Sequence, residues 1–144
     1  GAVRPQGRSG GGIAGVRLAT GEKVIAFGAI ANIESAFVVT VAGSSSALPG
    51  TQNGSAKVTA LSLYPAKGRG TGGVRCQRLL AGEDALIFAW LGDGSPIAAA
   101  SSGSPVDLPE PVAKRDASGV GLAQPIAAVS TGANHLLGAR VVSD

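Results

Sequence analysis

The chain contains itself more than once. Gly7-Arg8-Ser9-Gly10-Gly11-Gly12-Ile13 is matched by Gly68-Arg69-Gly70-Thr71-Gly72-Gly73-Val74, an offset of 61 residues that runs on downstream without a gap. Leu18 falls on Leu79, Gly21-Glu22 on Gly82-Glu83, and Ile25-Ala26-Phe27 on Leu86-Ile87-Phe88. A weaker third copy, Arg115-Asp116-Ala117-Ser118-Gly119-Val120, follows the second at 46 residues, from Arg69 to Arg115. Such a period constrains the fold strongly, because each unit has to bury its apolar face against its neighbours.

Every unit reads in the same order. A basic, glycine-rich turn leads into a short apolar segment (13–18; 74–79), then a Gly-Glu turn, then an apolar strand (24–27; 85–90). A further strand follows at 37–41 or 97–100 and ends at Gly43 or Gly103. Short runs rich in β-branched residues and punctuated by glycine predict antiparallel strands. No segment carries the i, i+3, i+4, i+7 apolar stripe of a capped helix. The expectation is an all-β, propeller-like fold of about three four-stranded blades, shortened or open. A chain of 144 residues makes this one domain, with repeats at roughly 1–66, 67–112 and 113–144. Residues 44–55, small and polar, read as an extended, mobile loop. Prolines 105, 109 and 111 confine pairing in 101–111 to edges. The tail, 126–144, reads as a closing strand over an exposed edge.

Composition narrows the function. Hydrophobic residues at 44% and charged residues at 15% support a packed core and exclude a globally disordered chain. Aromatics are only 3%, so that core must come from Val, Ile, Leu and Ala. The 23 glycines lack a three-residue period, which points to tight turns rather than a collagen-like helix. Cys76 is the single cysteine, which rules out an internal disulfide and suits a reducing cytoplasm. No secretory leader and no bilayer-spanning apolar run is read. Gly1-Ala2 in place of an initiating Met suggests a tag remnant or a piece of a longer chain.

The formal net charge of +3 permits a polyanionic partner without requiring one. Its distribution says more. Arg4, Arg8 and Arg17 in the first unit correspond to Lys67, Arg69, Arg75 and Arg78 in the second, and to Lys114 and Arg115 in the third; Lys57 leads into the second turn. Equivalent turns of a shared fold land on one rim, where the charges would form an arc able to meet phosphates without reading sequence. The residues alone leave a second reading open, in which these are solvated turn charges. Catalysis finds no support. No phosphate-binding G-x-x-x-x-G-K-[ST] loop is present, and no cofactor is implied. His135 has no partner at metal-ligand spacing. Cys76 sits within an apolar segment and reads as core, as do Tyr64 and Trp90. Glu22 and Glu83, being repeat equivalents, belong to separate blades.

The run Lys57-Val58-Thr59 … Tyr64-Pro65-Ala66-Lys67-Gly68-Arg69-Gly70-Thr71-Gly72-Gly73-Val74 resembles a blade junction in the C-terminal domain of type IIA topoisomerase A subunits, those of DNA gyrase and topoisomerase IV. The resemblance implies a β-pinwheel, a ring of blades that exchange strands with their neighbours, and a non-catalytic role. It implies duplex DNA as partner, bent or wrapped around the basic rim so that a segment is presented for strand passage. The remainder of the A subunit, and through it the ATPase subunit, would be further partners, in the cytoplasm and not at a membrane. The family's cleavage tyrosine belongs to another domain. Gln6-Gly7-Arg8-Ser9-Gly10-Gly11-Gly12 is similar to the seven-residue gyrase box at Gln6, Arg8, Gly10 and Gly12 and departs from it at Gly7, Ser9 and Gly11. Residues 67–73 keep the box no better. An eroded box leans toward topoisomerase IV. The rival expectation is a propeller-like protein-interaction module, using 44–55 and the proline-rich stretch as contact surfaces.

Overall fold

The computed structural model describes residues 16–132. The central strand β1 (Ala36–Gly43) is the sequence AFVVTVAG, and its run of β-branched residues suits a pleated, fully covered position. It pairs antiparallel with β2 (Ser55–Ala60) on one side and β3 (Ala85–Asp93) on the other. Covered from both edges and on both faces, Val39, Val41 and Ala42 are almost wholly buried. Two further strands, β4 (Pro96–Ala99) and β5 (Pro105–Val106), form a shorter hairpin. The chain then adds β6 (Val120–Gly121) to β2, and β7 (Ala128–Thr131) to the free edge of β4.

The spatial orders are therefore β3-β1-β2-β6 and β5-β4-β7. Both sheets are built alike. A hairpin from one repeat (β1–β2; β4–β5) receives on its open edge a strand from the following repeat (β3; β7). This is strand exchange between neighbours, and it explains why two sheets stand where about three blades were expected. The third repeat gives β6 and β7 to sheets begun by the other two. The two sheets share one core, in which Val41 and Ala56 meet Ala98, Val106 and Leu122.

Several segments differ from the sequence-based expectation. Residues 24–27 join neither sheet, and 74–79 is extended with a single bridge at Arg78. Of 13–18, only the part from Val16 lies within the described residues, and Val16 also makes an isolated bridge. An apolar pattern marks a strand only where a neighbouring edge is available to pair with it. The loop 44–54 is pinned rather than loose. The Gln52 side chain accepts from Ser44 N at 2.8 Å and donates to Ser44 O at 2.7 Å. Asp84 accepts from both the backbone and the hydroxyl of Ser45, each at 2.7 Å, and these bonds hold its carboxyl below the usual range. As expected of the proline-rich stretch, β5 is a two-residue edge strand, and the part of the tail at Ala128–Thr131 closes an edge.

Candidate nucleic-acid interface

The Gly-Glu turns show how closely the repeats agree. Ala19-Thr20-Gly21-Glu22 and Leu80-Ala81-Gly82-Glu83 each close with the glutamate N–H on the first residue's carbonyl, at 3.1 and 3.0 Å. Glycine occupies the third position of each with φ of +86° and +85°, the left-handed geometry that a type II turn demands there. The glutamate carboxylate then bends back to accept the first residue's N–H, at 2.8 Å for Glu22 and 2.7 Å for Glu83. Both carboxylates thus serve their own turns.

A second equivalence brings the basic residues together. Arg17 N donates to Thr71 O at 2.9 Å, and Arg78 N donates to Ala117 O at 3.0 Å. The donors are 61 residues apart and the acceptors 46, the two sequence offsets. Parallel bridges Val16–Thr71 and Arg78–Ser118 lie at the same places. The segment after each glycine-rich turn therefore runs along the next such turn, and the backbone of Arg17 meets the Arg69-Gly70-Thr71 turn as that of Arg78 meets Arg115-Asp116-Ala117. The turns themselves close alike, through Thr71 Oγ1 to Gly68 O at 2.7 Å and Ala117 N to Lys114 O at 3.3 Å.

The side chains of Arg17, Lys67, Arg69, Arg75, Arg78 and Lys114 are exposed. Arg115 is half-buried, with Nε donating to Arg75 O at 3.1 Å. Lys57 is a correction to the surface set. It is 1% exposed, since its strand lies between β1 and β6, and its Nζ donates to the Arg115 carbonyl. Burial pulls its pKa below the ordinary lysine value, against smaller opposing effects of Cys76 and Asp116. Lys57 thus supports the Arg115 turn from inside, out of reach of a surface ligand. Arg4, Arg8 and the box from Gln6 to Gly12 lie outside the described residues, as does His135.

Gln77 was missed by sequence reasoning, being a single polar residue in a stretch read as an apolar strand. It is 3% exposed, accepts from Thr40 Oγ1 at 2.8 Å and donates to Ser55 O at 3.0 Å. It thereby fastens the segment bearing Arg75 and Arg78 to the edge of the first sheet. Cys76 is half-buried, and burial raises its thiol pKa, the opposite of what an activated nucleophile requires. Burial likewise pushes the Tyr64 phenol up to about 12, and neither its hydroxyl nor the nearby Thr59 Oγ1 makes a well-formed hydrogen bond. Among the described residues no helix is long and apolar enough to cross a membrane.

Strand exchange between repeats and equivalent cationic turns define a propeller-like β-repeat domain. The family model described as the DNA gyrase C-terminal domain, a beta-propeller, matches residues 1–31 and 50–89. The DNA gyrase A subunit of Aeromonas salmonicida is 42% identical over 73 residues, 51% of this chain and 7% of that protein. The topoisomerase subunit TopoM of Mycolicibacterium smegmatis is 38% identical over 88 residues, 60% of this chain and 11% of that protein. The chain belongs to the family formed by the C-terminal domains of type IIA topoisomerase A subunits. It matches only about a tenth or less of the length of these relatives.

Proposed function

We propose that this domain binds duplex DNA without reading its sequence, bending or wrapping it to present a segment for strand passage. It does so as a non-catalytic part of a cytoplasmic topoisomerase A subunit that works with an ATPase subunit. The observation that carries this reading is the matched pair of inter-repeat contacts, Arg17 on the Thr71 turn and Arg78 on the Ala117 turn. Exposed Arg17, Arg69 and Arg78 follow from it as phosphate contacts, with Lys67, Arg75 and Lys114 beside them and Arg8 and Arg4 continuing the arc. Guanidinium groups on phosphates supply affinity and orientation, and each contact releases counterions.

The test is the salt dependence of duplex binding for the chain and for the triple variant Arg17→Ala, Arg69→Ala, Arg78→Ala. The log–log slope is expected to fall by about 0.9 for each contact removed. Lys57→Met, which alters an interior cation, should leave it unchanged. An unaltered slope in the triple variant would reject these sites, and no binding at low salt would reject the DNA reading in favour of a protein-interaction module. Ligating nicked plasmid with the domain bound then separates the two modes: a linking-number shift means chiral wrapping, as in gyrase, and none means bending or docking.

A further inference from the structure

Residues 24–31, the sequence VIAFGAIA, form an unpaired strand. They correspond at the 61-residue offset to 85–92, which lie in β3 and pair along the full length of β1. Yet residues 23–31 make no hydrogen bond to any other described residue. One side of the segment rests on the molecule. A Cβ at Gly28 would stand 3.4 Å from the Leu91 side chain, and Ile25 lines a cleft of about 410 Å³ with Ile87 and Phe88. The rest faces outward. Phe27 is 93% exposed, Val24 57% and Ile25 45%, whereas Phe88, the counterpart of Phe27, packs against the shared core.

A donor strand of this kind needs an acceptor edge, and the described hairpins have none left. β1 holds β2 and β3 on its two edges, and β4 holds β5 and β7. The acceptor with a matching unpaired apolar edge is the same segment in a second molecule. From Val24 to Ile33 there is no charge and no proline, so two copies can pair antiparallel without like-charge repulsion or a blocked donor. A two-fold axis generates that arrangement by itself. We infer that residues 24–31 are a homodimerisation strand, joining two copies of this chain edge to edge around Phe27. The inference stands apart from DNA binding.

Sedimentation equilibrium over a range of concentrations, without DNA, tests it. The chain should show a monomer–dimer equilibrium. Phe27→Lys sets two ammonium groups into the seam, and Ala29→Pro removes an N–H that has no partner within the described molecule. Both should be monomeric, with the Trp90 emission and thermal midpoint of the parent, while Leu48→Lys, an exposed apolar site outside the segment, should still dimerise. A parent that stays monomeric throughout, or dimers that survive both substitutions, would overturn the inference. A monomeric parent that captures a synthetic β1–β2 hairpin (residues 33–63) would also overturn it, assigning the segment to a hairpin acceptor instead.

Discussion

Lys57 shows how one side chain can change meaning between sequence and fold. Its ammonium lies inside the molecule on a single carbonyl, and burial depresses its pKa from 10.5. The unfolded chain therefore binds that proton more tightly, so on this account stability rises as pH climbs from below the folded pKa toward 10.5. Cys76 and Tyr64 act with the opposite sign. Their folded pKa values are raised, so they begin to cost stability once the unfolded thiol and phenol ionise, above 9.0 and 10.0 respectively. The quantity to measure is consequently the difference in unfolding free energy between Lys57→Met and the parent, by urea denaturation from neutral pH upward. It should shift against the variant as pH rises, by about 1.4 kcal/mol for each unit of pKa depression. A difference that stays flat with pH would mean that Lys57 is solvated in the folded state.

Among the elements, the two Gly-Glu turns have nearly the same backbone but different loads. Glu22 is exposed and serves only its own turn through Ala19 N. Glu83 is half-buried and in addition accepts from Ser55 Oγ, at the start of β2, so its turn is tied to the first sheet. Substitution by alanine should therefore cost about 1.5–3 kcal/mol at Glu83, where charge-assisted hydrogen bonds are lost, and about 1 kcal/mol or less at Glu22. Thermal or urea unfolding of the two variants checks the ranking, and equal costs would deny the link between turn and sheet. The shared turn was legible in sequence, since Gly-Glu at matched positions requires no distant partner. The added load was not, because Ser55 lies 28 residues from Glu83 and nothing local to either marks the pair.

Across the molecule, the two sheets do not own separate interiors. Val41 and Ala56 from the first sheet pack with Ala98 and Val106 from the second, with Leu122 among them and Phe88 and Val129 at the margins. Strand exchange adds backbone pairing between repeats to this shared core, so the units cannot melt independently. Heat or urea should produce one transition, with Trp90 emission, which reports on β3, coinciding with far-ultraviolet circular dichroism, which reports on all strands. Separate midpoints would mean that the sheets fold as distinct units. The DNA reading belongs to this scale too, because an arc of arginines exists only if successive turns are held in a common frame.

The sequence by itself determined the repeat and its two offsets, the all-β class, the glycine-dependent turns and the strands at β1, β3 and β4. Each of these rests on local chemistry: β-branched runs, a left-handed glycine, or a motif that recurs. Only the tertiary structure decided that 24–27 lies outside both sheets, that Lys57 is interior, and that Gln77 bridges to Thr40 and Ser55. The physical reason is common to all three. Strand pairing and burial depend on which distant edge is free to accept a hydrogen bond. In a strand-exchanged repeat that edge belongs to a neighbouring unit, so identical local sequence meets different partners along the chain.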